Sequence, residues 1–351
     1  MIDIICRMSS ERPSLSVIIP ASRPEPLRRC LASLAAARLP QSFECLLVLN
    51  GSDEACAAAA QDWSGRVPGL RLIRGAPRSL GGARNAAVRE ASGDWLCFLD
   101  DDVLLPPGYF ETLLRELRLH PRACVIGGPN LTPPGRPLFE RCVGHVLGSR
   151  LCAGPMSRRT AGFAQDSWTD DSGLILCNLC IRRDALWEAG LRFDEDLVRN
   201  EENLLLARLL RGGRRAMHSP ELFVFHERRG SLAAFCRQCF LSGQGRGAMT
   251  VSLPASLRAW HLAPLLLPLG LLGLGPWPSA AYAALAAGDA AFLAARHAEG
   301  WAAWGWLFVL HPAAHLSYAA GLLAGLGWGL VRLGSAGHAA ACVGEAAPHA
   351  G

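Results

Sequence analysis

The sequence predicts an α/β fold in which a mostly parallel mixed sheet is flanked by helices and followed by C-terminal transmembrane helices. In the first half of the chain, short apolar strands alternate with single helices, and in the second half two long stretches carry no charged side chain. A chain of 351 residues has room for one α/β domain of about 200 to 250 residues and an additional part.

The first elements follow from the spacing of apolar residues. Residues 15–19 form an apolar run, which we expect Pro20 to end as a strand, and residues 27–39 have the period of a helix with arginines on its outer face. A second apolar run at residues 45–49 leads into the turn at residues 50–53. The order strand, helix, strand is therefore expected near the N-terminus.

The next elements repeat this order. A third strand is predicted at residues 70–73, followed by a glycine-rich turn at residues 81–82 and a helix at residues 83–91. The apolar run at residues 95–99 is a fourth strand. Strands separated by single helices indicate a largely parallel sheet, and ligands bind such sheets beyond the carboxyl ends of the strands.

Three consecutive carboxylates, Asp100, Asp101 and Asp102, come directly after the fourth strand. They would repel one another unless a positive group lies between them. A divalent cation that carries a diphosphate would meet this need, since Mg²⁺ prefers one or two carboxylates together with phosphate oxygens. A solvated acidic turn, or an Asp that caps the next helix, would also explain the triplet.

Composition narrows the classes of function. All 35 basic residues are Arg, the net charge is +5, and no dense basic run is interleaved with aromatics, so no nucleic-acid partner is expected. Without Lys, amine chemistry such as a Schiff base is excluded.

The cysteines allow two interpretations. Residues 1–13 lack the apolar core of a secretory signal, so the main domain is expected in the cytoplasm with reduced thiols. The pairs Cys177 with Cys180 and Cys236 with Cys239 could together form a four-thiolate zinc site. Alternatively, the first pair belongs to a strand, where residues three apart point to opposite faces.

The second half of the sequence is typical of membrane-spanning helices. Residues 259–288 and 300–331 carry no charged side chain, and each stretch exceeds the roughly 20 apolar residues that a spanning helix needs. Pro276 and Pro278 would split the first stretch, which predicts three or four crossings or re-entrant segments. The alternative is a buried apolar helical subdomain. Arginines before the first span place that side in the cytoplasm, so a multi-pass protein of a bacterial cytoplasmic membrane is expected.

These observations predict five regions. Their bounds are an N-terminal tail at 1–13, the α/β domain at 14–230, a juxtamembrane helical segment at 231–258, transmembrane helices at 259–333 and a C-terminal tail at 334–351.

Several short motifs, taken together and in order, resemble glycosyltransferase family 2, whose members share the GT-A fold. The matching pieces are residues 15–20, 44–52, 84–87, 91–102, 177–179, 193–195 and 201–203. The resemblance covers roughly residues 14–230 and implies an enzyme that transfers a glycosyl group (EC 2.4 class) from a nucleotide-sugar donor.

The resemblance implies a role for each matching residue on the donor side. It places Pro20, Ala21 and Ser22 in a first loop around the nucleotide, with Asp53 nearby. Arg84 and Asn85 would start a helix, where free backbone donors favour an anion. Asp100 and Asp101 would contact the nucleotide sugar, and Asp102, with Asp100 and His226, would hold Mn²⁺ or Mg²⁺. The sequence has Leu49 where the family often has Asp.

On the acceptor side, the resemblance aligns Glu202, in the pair Glu201–Glu202, with the catalytic base. A carboxylate that caps the following helix is the alternative. Asn178, Arg228 and Arg246 are candidates for contacts with the acceptor or the leaving diphosphate, and the arginines could equally be juxtamembrane anchors.

The expected reaction is an inverting transfer from a UDP-, GDP- or dTDP-sugar to a hydroxyl of a glycan or lipid-linked acceptor at a membrane, in cell-surface polysaccharide synthesis. Two alternatives remain open. One is a catalytically degenerate membrane protein that binds nucleotide sugars, and the other is a sugar nucleotidyltransferase of similar fold, although the loop at residues 20–26 has no glycine.

Overall fold

The computed structural model describes residues 14–50, 54–75, 79–267, 270 and 276–344. The predicted tail at 1–13, Asp53 and part of the first uncharged stretch lie outside these residues. The chain divides into two compact units. The first comprises residues 1–133, 158–193 and 208–227, and the second comprises residues 134–157, 194–207 and 228–351.

The strands belong to the first unit and form two sheets. Their bounds are β1 Leu15–Ala21, β2 Phe43–Leu49, β3 Leu70–Ile73, β4 Trp95–Leu99, β5 Val103–Leu104, β6 Val125–Gly127, β7 Asn130–Leu131, β8 Ser167–Thr169, β9 Asn178–Arg182, β10 Ala216–His218 and β11 Val224–His226. Among the described residues, the large sheet has the order β3-β2-β1-β4-β9-β6-β10-β8, and a small sheet has the order β5-β11-β7.

Helices alternate with the strands and then dominate the C-terminal part. Their bounds are α1 Pro24–Ala36, α2 Glu54–Trp63, α3 Leu80–Glu90, α4 Tyr109–Leu119, α5 Leu138–Leu147, α6 Arg150–Ala153, α7 Arg158–Ala161, α8 Arg183–Glu188, α9 Glu201–Arg211, α10 Leu232–Ser252, α11 Ala259–Leu262, α12 Pro276–Arg296 and α13 Trp301–Gly344.

The centre of the large sheet is parallel, as predicted. β1 pairs in parallel with β2 and with β4, and β2 pairs in parallel with β3. Every residue of β1 and β4 is buried, which explains why both read as continuous apolar runs. Their carboxyl ends lie at one edge of the sheet, where the acidic triplet follows β4.

Two predicted boundaries were wrong. Pro20 does not end β1, which continues to Ala21. β4 pairs with β1 only as far as Ile18, so on that side no ladder hydrogen bond is lost at Pro20. Gly81 is not in a turn but lies in the first turn of α3, because Ser79 caps this helix and its side chain accepts a hydrogen bond from the Gly82 N–H.

Antiparallel strands bring later segments to the same edge. β9 pairs antiparallel with β4, with Asn178 opposite Leu99. In the small sheet, β11 pairs antiparallel with β5, with His226 opposite Val103. The first pairing places Cys177 opposite Asp100. The second places His226 beside Val103, the residue that follows Asp102.

The second unit has a helical core. Buried residues of α5, α12 and α13 pack together, among them Val143, Ala290 and Leu307. α10 and α13 approach so closely that a Cβ on Gly325 would collide with the backbone oxygen of Gln244. Small residues allow such backbone-to-backbone packing.

The five predicted regions remain predictions. Residues 134–157 and 194–207, which lie within the predicted domain at 14–230, group with the second compact unit. The apolar face of α5 explains the first of these segments, since Cys142, Val143 and Val146 are buried in the helical core.

One helix in the part of the chain that the structure describes, Trp301–Arg332, is long and apolar enough to cross a bilayer. The expectation of three or four crossings therefore stays a prediction. The four-thiolate zinc site is not supported, since neither of the two groups of potential metal ligands found among the described residues contains Cys180, Cys236 or Cys239.

Candidate functional site

The acidic turn after β4 gathers side chains from three parts of the first unit. β9 brings Cys177 opposite Asp100, and potential ligand atoms of Asp100, Cys177 and His226 all lie within 4.8 Å of one another. β11 brings His226 to Asp102, whose Oδ1 lies 3.2 Å from the imidazole Nε2. The carboxylate of a turn between two strands and the imidazole of a third strand therefore meet at one edge of the sheet.

Asp102 is buried between two positive or polarisable groups. Its Oδ2 lies 2.7 Å from Nη2 of Arg23, and its side chain is 6% exposed. Burial opposes ionisation of this carboxyl, but the hydrogen bond and charge of His226, together with the Arg23 guanidinium, hold its pKa well below the usual range. Asp102 is therefore a carboxylate at neutral pH.

Asp101, predicted to contact the nucleotide sugar, forms hydrogen bonds within the protein. Its Oδ2 accepts hydrogen bonds from the backbone N–H groups of Ser22 and Arg23, at 2.9 and 3.0 Å, and from the Ser22 hydroxyl at 3.2 Å. Its Oδ1 pairs with the Arg23 guanidinium. The middle carboxylate of the triplet therefore fastens the chain after β1 to the acidic turn.

The residues predicted as a nucleotide loop are arranged differently. Pro20 and Ala21 are buried at the end of β1, and the Ala21 carbonyl accepts a hydrogen bond from the Asn50 N–H at 3.0 Å. Ser22 is exposed directly after the strand. Of these three side chains, that of Ser22 is the one that reaches the surface at this edge.

Asp100 is paired with a buried arginine. Nη2 of Arg84 donates to Asp100 Oδ1 at 2.9 Å, and the Asp100 side chain is 34% exposed while that of Arg84 is 3% exposed. Arg84 lies in the second turn of α3, which begins at Leu80, so the prediction that Arg84 and Asn85 start the helix was wrong. Arg84 acts here through its guanidinium and not through a free backbone N–H.

Two amide residues that were predicted to contact a ligand form hydrogen bonds within the protein through their side chains. The Asn85 side chain donates to the Phe193 carbonyl and accepts from the Phe193 N–H, both at 2.9 Å. The Asn178 side chain is fully buried, donates to the Leu222 carbonyl at 2.6 Å and accepts from the Tyr109 hydroxyl at 2.7 Å. Both residues position backbone segments around the site.

The donor set fits a divalent cation. Asp102 Oδ1 and His226 Nε2 lie 3.2 Å apart, and carboxylate and imidazole are ligands that Mn²⁺ and related ions accept. Asp100 supplies a second, partly exposed carboxylate. The thiol of Cys177 lies in the same group and was not predicted, since its position depends on the antiparallel pairing of β9.

Of the predicted acceptor-side residues, Asn178 lies in the first unit, and Glu201, Glu202, Arg228 and Arg246 lie in the second. Glu201 and Glu202 form the first turn of α9, after Asn200, which has a left-handed backbone with φ of 68°. Arg228 is largely buried, and Arg246 is buried in α10 at 1% exposure. Nε and Nη2 of Arg246 have no hydrogen-bond partner in the described part of the chain.

Arg23 is the functional candidate that the sequence did not reveal. It links Asp101 and Asp102 from the loop between β1 and α1. Its position directly after Ser22 was a signal, but nothing in the sequence indicated which of the 35 basic residues would meet the acidic turn.

Comparisons with known proteins match this architecture. The sequence profile of Glycosyl transferase family 2 matches residues 16–190. The chain is 28% identical over 250 residues, 69% of its own length and 76% of the relative's, to the succinoglycan biosynthesis protein ExoM of Rhizobium meliloti (strain 1021). It is 27% identical over 278 residues, covering 74% of this chain and 54% of the relative, to the pre-mycofactocin glycosyltransferase of Mycobacterium tuberculosis.

Among solved structures, the mannosyltransferase PcManGT from Pyrobaculum calidifontis, in complex with GDP-Man and Mn²⁺, is similar in fold. It aligns with a TM-score of 0.59 at 19% identity and covers 90% of this chain and 88% of its own. The predicted GT-A fold and the predicted glycosyltransferase activity are thus confirmed. With the matched profile, the shared fold and relatives that cover most of its length, the chain belongs to glycosyl transferase family 2.

Proposed function

We propose that this enzyme transfers a sugar from a nucleotide-diphosphate donor to a hydroxyl of a glycan or lipid-linked acceptor, with inversion, in cell-surface polysaccharide synthesis. The observation that carries the proposal is the meeting of Asp100, Asp102 and His226 at the carboxyl edge of the sheet. ExoM is a succinoglycan biosynthesis protein, which supports a polysaccharide product.

Asp102, His226 and Asp100 would hold Mn²⁺ or Mg²⁺. When bound, such an ion neutralises charge on a departing diphosphate and orients it. The buried carboxylate of Asp102, whose Oδ1 lies 3.2 Å from the imidazole Nε2 of His226, supports this assignment, and PcManGT was solved with Mn²⁺ and GDP-Man.

Arginines near the carboxylates would prepare the donor site. Arg23 holds Asp101 and Asp102, and Arg84 holds Asp100, so each carboxylate keeps its orientation before the donor arrives. Ser22, exposed after β1, is the group we assign to the nucleotide. Fixed charges of this kind stabilise developing charge without reorganising.

Glu202 would be the base, with Glu201 as its neighbour in the first turn of α9. The Glu202 carboxylate takes the proton of the acceptor hydroxyl, and the acceptor oxygen bonds to the anomeric carbon from the face opposite the donor phosphate. The bond from the anomeric carbon to the phosphate oxygen breaks, and the nucleoside diphosphate leaves with the bonding electrons. A positioned base of this type contributes roughly 10² to 10⁴-fold.

Arg246, together with Arg228, is the group we assign to the leaving diphosphate. A buried guanidinium with two nitrogen atoms that have no hydrogen-bond partner among the described residues is costly unless it meets an anion. A diphosphate oxygen would satisfy these donors through charge-assisted hydrogen bonds.

A membrane location is supported by one face of α13. Val309, Leu316, Leu323 and Leu330 are between 40% and 64% exposed and recur every seven residues, so they lie along one side of the helix. The stripe extends about 31 Å, close to the thickness of a bilayer core. We propose that this face contacts lipid in the cytoplasmic membrane and that the catalytic domain lies in the cytoplasm.

The test is a transfer assay on the full chain in lipid, with a panel of UDP-, GDP- and dTDP-sugars, with and without Mn²⁺. We expect metal-dependent transfer or hydrolysis of one donor class, a product of inverted anomeric configuration, and a loss of at least about 100-fold in Glu202→Gln. Asp184→Asn, an exposed acid-to-amide change in α8, is the control. Retained configuration, or full activity of Glu202→Gln, would overturn the assignment.

If every donor binds but none is turned over, the chain is instead a degenerate nucleotide-sugar-binding protein. The ion pairs that Arg23 already makes with Asp101 and Asp102 favour this second candidate, since they neutralise the acidic turn without a metal.

A further inference from the structure

A second group of metal-ligand side chains lies in the first unit and shares no residue with the candidate donor site. Glu116 is in the last turns of α4, and His120 follows the helix four residues later, so both side chains lie on one face. Asp166 directly precedes β8. Potential ligand atoms of these three residues all lie within 4.8 Å of one another.

The separations of the ligand atoms suit a four-coordinate ion. Nε2 of His120 lies 3.5 Å from Glu116 Oε2 and 3.1 Å from Asp166 Oδ2. Zinc–nitrogen and zinc–oxygen bonds of about 2.0 to 2.1 Å in a tetrahedron put neighbouring ligand atoms about 3.4 Å apart. The observed distances lie on either side of this value.

A buried oxygen atom supplies an independent indication. The Glu116 side chain is 2% exposed, and its Oε2 accepts no hydrogen bond from any residue that the structure describes. A buried carboxylate oxygen without a donor is unfavourable. The same oxygen lies on the side of His120, so a cation bound there would satisfy it.

The surrounding charge has the sign and size that a dication would neutralise. The Arg115 guanidinium pairs with Oε1 of Glu116 and with Glu221. Glu116 and Glu221 share this guanidinium and Asp166 adds a third carboxylate, so with a neutral imidazole two negative charges are left over. Arg215 stacks on the Trp168 ring, 3.6 Å from its centroid, and is the next positive group outward.

Packing against an aromatic ring restricts the His120 imidazole, and the site is accessible to solvent. The His120 ring meets the Trp168 ring edge to face at 6.3 Å between centroids, which restricts its rotation. The His120 side chain is 19% exposed and that of Asp166 is 34% exposed, so an ion could enter from solvent while Glu116 closes the inner side.

We propose that Glu116, His120 and Asp166 bind one divalent transition-metal ion, with Zn²⁺ as the best match. Two carboxylates and an imidazole leave a fourth position for water, and imidazole favours Zn²⁺ over Mg²⁺. The ion would tie the end of α4 to the segment before β8, 46 residues away in sequence. Its role is to stabilise the fold, since none of the three residues belongs to the donor site.

The experiment measures Zn²⁺ binding to the full chain by titration calorimetry, in excess Mg²⁺ so that the donor site is supplied with its own ion. Wild type is expected to bind one Zn²⁺ per chain and to gain thermal stability. His120→Ala and Asp166→Asn should each weaken binding by about tenfold or more and abolish the gain. Asp102→Asn should retain both the Zn²⁺ binding and the gain in thermal stability.

Circular dichroism and the melting temperature without Zn²⁺ show that each variant is folded. Asp166 is partly exposed before an edge strand, so its amide variant tests the site even if His120→Ala fails to fold. The proposal is overturned if wild type binds no Zn²⁺, or if binding survives in His120→Ala or Asp166→Asn. It is also overturned if binding is lost in Asp102→Asn.

Discussion

Nη2 of Arg23 lies 2.7 Å from Oδ2 of Asp102, so a residue that follows β1 neutralises the acidic turn that follows β4. The same guanidinium pairs with Asp101, whose carboxylate also accepts the Ser22 and Arg23 backbone N–H groups. The carboxyl ends of two neighbouring strands are thereby tied together by charge and hydrogen bonds.

Arg23→Gln is expected to tighten Mn²⁺ binding about fivefold, because the guanidinium no longer competes with the cation for Asp102. The Arg23 side chain is 44% exposed, which limits an ion pair of this kind to about 1 kcal/mol. Calorimetric titration with Mn²⁺ measures the change. Arg28→Gln, in α1 and paired with Glu25, is the matched control, and binding no tighter in Arg23→Gln than in this control would contradict the prediction.

Gly325→Ala is expected to destabilise the helical unit by about 1 to 3 kcal/mol, since the added Cβ collides with the Gln244 backbone oxygen in α10. Gly327 lies two residues further along α13 and has no atom within 4 Å of an added Cβ. Gly327→Ala should therefore be neutral or stabilise by up to about 1 kcal/mol. Thermal unfolding of both variants in lipid compares them, and equal melting temperatures would show that α10 and α13 do not pack as described.

His218 should make stability fall as the pH falls. Burial lowers the pKa of this imidazole to about 4, whereas the unfolded chain has the ordinary value of about 6.5. Between these values the unfolded state binds the proton and the folded state does not, so the contribution is complete above pH of about 6.5 and is lost toward pH 4.

We expect His218→Leu to reduce the loss of unfolding free energy between pH 6.5 and pH 4 by about 2 kcal/mol. Urea unfolding at several pH values gives the slope of the unfolding free energy against pH. The slopes of wild type and variant are compared after each unfolding free energy is expressed relative to the value of the same protein at pH 7.5. An unchanged slope would mean that His218 is protonated in the folded protein.

Local patterns predicted the central strands well. β3 and β4 have the predicted bounds, Leu70–Ile73 and Trp95–Leu99, because buried parallel strands are continuous apolar runs whose ends are marked by polar residues. The acidic triplet lies at the strand end where it was expected, since that position depends only on the strand before it.

Positions that depend on long-range pairing could not be predicted. Nothing near Cys177 or His226 in sequence specifies that β9 and β11 run antiparallel to β4 and β5, yet those pairings assemble the site. Asp101 and Asp102 are adjacent and chemically identical, and only the folded positions of Ser22, Arg23 and His226 give them different roles.

The most direct measurement is Mn²⁺-dependent binding of the donor nucleotide diphosphate by wild type, Asp102→Asn and Asp62→Asn. Asp62 is an exposed residue of α2 and serves as the control for removing one carboxylate. We expect Mn²⁺ to strengthen nucleotide binding in wild type and Asp62→Asn, and Asp102→Asn to lose at least about tenfold of this enhancement. Undiminished Mn²⁺-dependent binding in Asp102→Asn would contradict the assignment of the acidic turn as the donor site.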